Sequence, residues 1–207
     1  MKQRPRLLDL FCGAGGAAKG YHDAGFNVVG VDINPQPHYP YEFIQADAMT
    51  FPLDGFDVIH ASPPCQRYSV VNRGIGNHMS HPDLLPGTRD RLVDSGVPWV
   101  IENVVGAPMF FPTMLCGSMF GLGTSTGLWL RRHRLFECSH LFLAPDCRHS
   151  AEGAVIRVQG GNQLVNAKMS IGVYGNGTNS YHRKKLNRCV TVAEQREAMG
   201  IDWMPRS

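Results

Sequence analysis

The chain has 207 residues, a hydrophobic content of 43% and a formal net charge of +3. This length allows one α/β domain with a proper core, and the hydrophobic content excludes a disordered chain. No run approaches the ~18 apolar residues of a membrane span. The N-terminal apolar stretch is too short for a signal peptide and is interrupted by Asp9. We therefore expect a cytoplasmic protein with no membrane partner, whose six cysteines stay reduced.

Short apolar runs alternate with helical or looped connections along the first half of the chain. The predicted strands cover residues 6–11, 27–31, 42–46, 56–60, 98–101 and 134–137. The predicted helices cover residues 17–24, about 88–94 and 191–199, the last with Thr191 and Glu194 as a capping box. Strands that alternate with helices in this way indicate an α/β fold with a parallel sheet.

Polar side chains follow four of the predicted strands. Asp32, Asp47, Cys65 and Glu102 come at or just after the ends of apolar runs. Because ligands of open parallel sheets bind outside the carboxyl ends of the strands, these four residues mark one candidate site.

A glycine-rich loop lies between the first predicted strand and the first predicted helix. Residues 13–18 satisfy the pattern G-x-G-x-x-A, and Asp32 follows seventeen residues after Gly15. Such glycines permit a tight turn close to a cofactor, and the acid can accept hydrogen bonds from ribose hydroxyls. The pattern alone suits NAD, FAD or S-adenosylmethionine. Asp47, at the next strand end, favours S-adenosylmethionine because it could accept from an adenine amino group.

Cys65 follows two prolines in the stretch ASPPCQRYS, residues 61–69. The prolines stiffen the backbone and disfavour helix, so the thiol is predicted to lie in an extended loop above the sheet edge. A thiol held there can act as a nucleophile, whereas the alternative is an inert, buried cysteine. We expect Glu102, at the end of an apolar strand, to be desolvated and to stay protonated as a hydrogen-bond donor.

These motifs resemble those of the cytosine-5 DNA methyltransferases, in the compact form found in phages and bacteria. The stretches that carry the resemblance are DLFCGAGG (9–16), VVGVDIN (28–34), ADA (46–48), SPPCQRYS (62–69), IENV (101–104), LCGSMFGL (115–122), RHRLFE (132–137) and TVAEQREAMGI (191–201). They occur in the family's order and extend over nearly all of residues 6–202.

The resemblance implies a Rossmann-like, S-adenosylmethionine-dependent methyltransferase sheet with a small irregular target-recognition segment. Residues 1–137 would form the catalytic domain, 138–187 the target-recognition segment, and 188–207 a return to the catalytic domain. The implied activity is methylation of cytosine at carbon 5 in double-stranded DNA, by a monomer in the cytoplasm of a bacterial or phage-infected cell.

The resemblance also implies roles for individual residues. Cys65 would attack carbon 6 of a flipped-out cytosine, Glu102 would donate to ring nitrogen 3, and Asn103 would brace the Pro-Cys loop. Arg132 and Arg134 would hold the base and that loop. The residues implied to bind S-adenosylmethionine are Phe11, Gly13, Gly15, Asp32, Ile33, Asp47 and Pro64.

The segment from residue 137 to residue 188 has two further features. It contains seven Lys/Arg against three acidic residues, a basic excess that suits a polyanion such as nucleic acid. It also contains a possible structural zinc set: Cys138, His140, Cys147 and His149. The spacing is not a standard zinc signature, and ordinary loop residues are the other interpretation.

Three alternatives remain open at this stage. The first is the same chemistry on RNA, because related proteins of this fold modify tRNA. The second is a non-catalytic nucleic-acid-binding homologue, since the sequence ends without the Gly-Asn-Ala-Val-like motif that usually closes the family's cofactor pocket. The third is a nicotinamide oxidoreductase, which would leave the Pro-Pro-Cys and Glu-Asn-Val elements unexplained.

Overall fold

A computed structural model of the protein describes residues 3–69, 78–125, 129–145, 170–171 and 192–200. The chain divides into two compact units. The first comprises Met1–Thr113, Arg134–Leu143 and Pro205–Ser207, and the second comprises Met114–His133 and Ala144–Met204. This division differs from the domain boundaries expected at residues 137 and 187, which stay a prediction.

The strands and helices lie close to the predicted positions. The strands are β1 (Arg6–Leu10), β2 (Asn27–Asp32), β3 (Glu42–Gln45), β4 (Val58–Ala61), β5 (Trp99–Asn103), β6 (Thr113–Cys116), β7 (Trp129–Leu130), β8 (His133–Cys138) and β9 (Ser170–Ile171). The helices are α1 (Gly16–Asp23), α2 (Leu85–Ser95) and α3 (Val192–Met199). Within the described ranges, no helix combines the length and the apolar character needed to cross a membrane.

The first unit is built on a mixed sheet in which its strands lie in the order β3-β2-β1-β4-β5-β8. Strands β1 to β5 pair in parallel, and β8 pairs antiparallel with β5. The chain order reverses between β1 and β4, which is the position where open α/β sheets bind ligands. The predicted α/β fold is confirmed, and the site residues of β1, β4 and β5 come from three adjacent strands.

Both faces of this sheet are covered, which explains the nearly continuous apolar runs of its strands. Leu8, Leu10 and Ile59 belong to a core that includes Leu85 and Leu92 of α2. The opposite face packs a second cluster: Leu7, Cys12, Ala18 of α1, Val28 and Tyr39. The two clusters pack the two faces of the sheet whose strands carry the candidate site residues.

Helix α2 begins three residues earlier than the sequence pattern predicts. Residues 85–87 read Leu-Pro-Gly, which resembles a loop, but proline is favoured in the first turn of a helix because it needs no hydrogen-bond partner there. The helix ends at Gly96, whose φ of 64° is left-handed and accessible to glycine. The predicted capping box at Thr191 involves a residue outside the described ranges.

The second unit is described over shorter ranges. Strands β7 and β9 form a two-stranded parallel pair. A 3-10 helix, Gly117–Phe120, packs beside Leu130, and a Cβ on Gly117 would lie 2.6 Å from the Leu130 side chain. The Glu197 carboxylate of α3 accepts a hydrogen bond of 2.6 Å from the Ser125 N–H. Most of the predicted target-recognition segment lies outside the described residues.

Substitution by alanine is predicted to have opposite effects on stability at two glycines of the first unit. A Cβ on Gly30 of β2 would lie 2.7 Å from Cε1 of the buried Tyr39 ring, whereas a Cβ on Gly20 of α1 would meet nothing within 4 Å. We expect Gly30→Ala to lower the free energy of unfolding by about 2 kcal/mol through overpacking. Gly20→Ala should raise it by about 0.5–1 kcal/mol, because alanine is the better helix former.

Urea unfolding of the two variants and the wild type measures both effects. Equal stabilities of Gly30→Ala and the wild type would mean that Tyr39 can move away without cost. The paired design separates steric overlap from the general effect of replacing glycine.

Candidate active site

The glycine loop, residues 11–15, leads from β1 into α1. Phe11 adopts a φ of 56°, which aromatic residues rarely adopt, and its ring packs against the core. Gly13 and Gly15 also have positive φ values, 49° and 88°. The Cys12 N–H donates 3.1 Å to the Val31 carbonyl of β2, which fixes the start of the loop. The backbone thus makes the tight turn that a cofactor loop requires.

Asp32, the last residue of β2, is tied to this loop by its side chain. Its Oδ2 accepts a hydrogen bond of 3.1 Å from the Gly13 N–H, and its Oδ1 accepts one of 2.9 Å from the Asn34 N–H. Each carboxylate oxygen has a second lone pair. The half-buried carboxylate can therefore accept from ligand hydroxyls while it holds the loop.

Ile33 and Asp47 stand beside Asp32 at the same edge. Ile33 is 64% exposed, and its carbonyl accepts a hydrogen bond of 3.1 Å from the Gln45 side chain. The exposed Asp47 carboxylate accepts a hydrogen bond of 2.8 Å from the Met49 N–H, which stabilises the turn after β3. Gln45 was not predicted from the sequence, although its position at the end of β3 is where such a brace is expected.

The Pro-Cys loop, residues 62–69, follows β4. Pro63 is buried, whereas Pro64 and Cys65 are half-buried. The Cys65 carbonyl accepts hydrogen bonds of 3.0 Å from the N–H groups of Tyr68 and Ser69, which closes a turn around the cysteine. Asn103, 1% exposed at the end of β5, donates 3.0 Å from Nδ2 to the Pro63 carbonyl. The thiol is thus carried by a braced backbone.

Glu102, next to Asn103 in β5, forms an ion pair with Arg134 of β8. Arg134 Nε lies 2.7 Å from Glu102 Oε1, and the two side chains are 20% and 21% exposed. The sequence predicts a desolvated, protonated Glu102, whereas in the structure the partly exposed Glu102 side chain has a guanidinium partner. The pair holds the Glu102 side chain at the end of β5, and the role of Glu102 as an acid stays a prediction.

Arg132 belongs to the second unit, and its side chain is half-buried. Its role at the base stays a prediction. Arg134, two residues later, belongs to the first unit together with Cys65 and Glu102.

Cys12 and Cys65 are different kinds of cysteine. Burial, followed by the negative charges of Asp9 and Asp32, raises the pKa of Cys12 well above its ordinary value. Its Sγ contacts the Gly13 carbonyl at 3.6 Å. Cys12 therefore stays a neutral thiol and packs in the core.

The possible zinc set is only partly described. Cys138 ends β8 and His140 follows it, whereas Cys147 and His149 lie outside the described residues. Across the described ranges, no group of three or more potential metal ligands comes together. The His140 Nδ1 lies 3.4 Å from Ser139 Oγ.

Cys138 supplies a test by pH. Burial, with a smaller contribution from Glu137, raises its pKa from 9.0 to about 11. We expect its alkylation rate to rise with a midpoint near pH 11, because the thiolate is the reacting form. The unfolded chain ionises this thiol at lower pH, so its contribution to folding stability is lost as the pH rises from 9.0 to about 11.

Iodoacetamide labelling at several pH values, followed by peptide mass spectrometry, reports the Cys138 midpoint. A small soluble thiol labelled in parallel is the reference. A midpoint at or below that of the reference would mean that Cys138 is not protected.

The first unit also has a depression of about 840 Å³, whose lining includes Cys138 and His140 but none of the candidate catalytic or cofactor-binding residues. Its lining includes the ion pair of Arg89 and Glu137 and the ring of Phe110. The Glu137 carboxylate accepts three hydrogen bonds: one of 2.6 Å from Arg89 Nε, one of 2.9 Å from Arg89 Nη2 and one of 2.8 Å from the Phe110 N–H. The Arg89 guanidinium stacks 4.2 Å from the Phe110 ring centroid. The size of this depression does not make it the reactive centre, because it holds neither Cys65 nor Glu102.

The structure adds a buried polar pair that the sequence analysis did not predict. Asp9 and His60 face each other in β1 and β4, 1% and 2% exposed, with Asp9 Oδ1 2.8 Å from His60 Nδ1. Their polarity within apolar strands was the available signal. Nothing in the local pattern pairs two residues that are 51 positions apart.

Comparison with known proteins agrees with this geometry. Residues 5–85, which include the glycine loop, Asp32, Asp47 and the Pro-Cys loop, match the family model of the C-5 cytosine-specific DNA methylases. The predicted resemblance to that family is confirmed. No curated protein matches the chain.

Several solved structures are similar to the chain in part. They include an Entamoeba histolytica methyltransferase, EhMeth (14% identity, TM-score 0.45, 70% of this chain and 57% of that one). The Schizosaccharomyces pombe Dnmt2 methyltransferase is similar at 18% identity with a TM-score of 0.44, over 69% of this chain and 52% of that one. The PH0226 protein of Pyrococcus horikoshii OT3 is similar at 22% identity with a TM-score of 0.35, over 50% of this chain and 51% of that one. The chain spans about half the length of these proteins.

The glycine loop of this C-5 methylase-like chain fits an adenosine-containing cofactor. A Cβ on Gly13 would meet nothing within 4 Å, so there is open space beside the loop. The Asp32 carboxylate and the exposed Ile33 side chain follow at the next strand end. Open space, a hydroxyl acceptor and an apolar surface are the features that binding of S-adenosylmethionine needs.

Proposed function

We propose that the protein methylates carbon 5 of cytosine in double-stranded DNA, with S-adenosylmethionine as the methyl donor. The observation that carries the proposal is the convergence of three elements. The glycine loop follows β1, the Pro-Cys loop follows β4, and Glu102, paired with Arg134, lies at the end of β5. These three strands are adjacent, and their carboxyl ends lie at one edge of the sheet. The methylase match covers the first two of these elements.

The chemistry of the base follows from the residues at this edge. The Cys65 thiolate adds to carbon 6 of cytosine, and the electron pair of the 5,6 double bond moves towards carbon 5 and ring nitrogen 3. Glu102, once protonated, donates to nitrogen 3 and neutralises the developing charge, while Arg134 holds the Glu102 side chain. After methylation, loss of the carbon-5 proton to a base restores the double bond and expels the Cys65 thiolate.

The proposed cofactor-binding residues are Phe11, Gly13, Gly15, Asp32, Ile33, Asp47 and Pro64. Asp32 accepts from ribose hydroxyls, and Asp47 accepts from the adenine amino group. S-adenosylmethionine supplies an electrophilic methyl group. Phe11 and Ile33 offer the apolar surface against which the cofactor packs.

Double-stranded DNA is the proposed substrate for two reasons. The matched family is described as DNA methylases. The sequence between residues 137 and 188 has a basic excess that suits a phosphate backbone. A target base in a duplex must be flipped out before Cys65 can reach carbon 6, at a cost of a few kcal/mol.

Transfer of a labelled methyl group tests the proposal directly. The protein is incubated with labelled S-adenosylmethionine and either unmethylated duplex DNA or tRNA, and nucleosides are separated after digestion. We expect label in 5-methylcytosine from DNA. Label only from tRNA would overturn the DNA substrate, and no label from a folded chain would overturn the catalytic proposal.

The role of Glu102 gives a second test. Glu102→Gln keeps the side-chain volume but cannot supply the proton, so we expect transfer to slow about 100-fold. The exposed Glu42, at the start of β3 and thus at the opposite edge, provides the control Glu42→Gln, which should transfer at the wild-type rate. A Glu102→Gln rate within about twofold of the wild type would contradict the acid role.

A further inference from the structure

A chain of polar groups runs through the middle of the sheet, between the two apolar clusters. Asp9 Oδ1 contacts His60 Nδ1 at 2.8 Å, and the Tyr39 hydroxyl donates to Asp9 Oδ2 at 3.4 Å. On the other side of the imidazole, His60 Nε2 lies 3.5 Å from Ser62 Oγ, a long hydrogen bond. Buried polar groups are costly unless paired, and here both nitrogens of His60 have partners.

The acid determines the orientation of the imidazole. An ionised Asp9 only accepts hydrogen bonds, so Nδ1 of His60 carries the proton. Nε2 of the same ring faces the Ser62 hydroxyl, so the imidazole bridges Asp9 and Ser62. The Tyr21 ring lies against the imidazole with a centroid distance of 5.3 Å, which restricts its rotation. The position of Ser62 is thereby linked to Asp9.

Ser62 begins the Pro-Cys loop, three residues before Cys65. Its N–H donates 3.1 Å to the Leu10 carbonyl of β1, and the next carbonyl, that of Pro63, accepts from Asn103 of β5. The segment that leads to the thiol is therefore held from β1, β4 and β5 at once. The contacts with Leu10 and Asn103 restrain the backbone of this segment, whereas the contact with His60 restrains the Ser62 side chain.

We infer that Asp9 and His60 are positioning residues that act through Ser62 on the Cys65 thiol. The inference rests on the proposed function, in which Cys65 must approach carbon 6 of a base. A displacement of about 1 Å at a reacting atom can lower the rate about 100-fold. A restraint on Ser62, three residues before Cys65, can therefore affect the rate of attack by the thiol. Asp9 and His60 are 1% and 2% exposed, so they act from within the sheet.

Removal of the Ser62 hydroxyl tests the link with little disturbance of the core. We expect Ser62→Ala to lower kcat about tenfold and to leave KM for DNA and for S-adenosylmethionine within about twofold. Ser62→Thr retains the hydroxyl and should restore kcat. Thr88→Val is the matched control, because it removes another buried hydroxyl, bonded at 2.7 Å to the Leu84 carbonyl, in α2. It should leave kcat unchanged.

Alkylation of Cys65 by iodoacetamide, followed by peptide mass spectrometry, is a readout that does not depend on methyl transfer. We expect the Cys65 labelling rate to change at least about threefold in Ser62→Ala and to return towards wild type in Ser62→Thr. Unchanged labelling and unchanged kcat in Ser62→Ala would overturn the positioning role. Absence of methyl transfer in the wild type would instead overturn the proposed function, and the labelling rates would still decide whether Ser62 positions the thiol.

Discussion

We expect replacement of Cys65 by alanine to abolish the proposed methyl transfer and to leave the protein folded. Without the thiolate there is no group to add to carbon 6, and carbon 5 of cytosine stays too electron-poor to accept a methyl group. We expect a loss of at least about 10⁴-fold in kcat, of the size seen when a nucleophile is removed from other enzymes. The side chain is half-buried and small, so the free energy of unfolding should change by no more than about 1 kcal/mol.

Two measurements check this result. Labelled methyl transfer gives the rate, and duplex DNA that contains 5-fluorocytosine traps the covalent adduct, because fluorine at carbon 5 cannot leave as a proton. Cys138→Ala is the control. It also removes a half-buried thiol, but burial raises the pKa of that thiol to about 11. Adduct formation by Cys65→Ala would refute the mechanism.

We expect replacement of Glu137 by glutamine to lower the free energy of unfolding by about 3 kcal/mol. Glu137 and Arg89 are 4% and 9% exposed, and the carboxylate accepts from Arg89 twice and from the Phe110 N–H. Glutamine retains the volume but removes the negative charge, so the guanidinium becomes an uncompensated buried charge. Loss of one partner of a buried pair costs more than loss of both.

The comparison of single and double variants measures this asymmetry. Urea unfolding of Glu137→Gln, Arg89→Met and the double variant completes a double-mutant cycle, in which the double variant should be more stable than the sum of the single losses implies. Asp94→Asn, an exposed change in the same α2 helix, should shift stability by no more than about 0.5 kcal/mol. Strict additivity in the cycle would mean that the ion pair contributes no coupling.

The residues that sequence reasoning placed well are those governed by their near neighbours. The strands from β1 to β5 are apolar because both faces of the sheet are covered, and that pattern is legible in a few residues at a time. The positive φ values of Gly13 and Gly15 follow from a turn that connects a strand directly to a helix. The start of α2 was missed because proline and glycine in its first turn resemble a loop.

Contacts between distant positions were not predictable in the same way. Asp9 and His60 meet because β1 and β4 are neighbours in register, and Arg134 reaches Glu102 because β8 returns antiparallel beside β5. The expectation of a protonated Glu102 considered only the apolar strand around it. The ion partner comes from a strand 32 positions further along the chain, so its effect on Glu102 required the structure.

Tyr39 has a consequence for how this protein can be varied. Its buried ring occupies the space that a Cβ would need at Gly30, where the ring Cζ is the nearest carbon. The ring also lies 3.1 Å from a Cβ on Gly15, but that Cβ would be closer still to Pro40 Cδ, at 2.8 Å. Positions 30 and 39 are therefore epistatic: alanine at residue 30 should destabilise the protein less when residue 39 is smaller. A combinatorial library around the cofactor loop should change positions 30 and 39 together, because a scan of single sites would record only the steric cost of the change at residue 30.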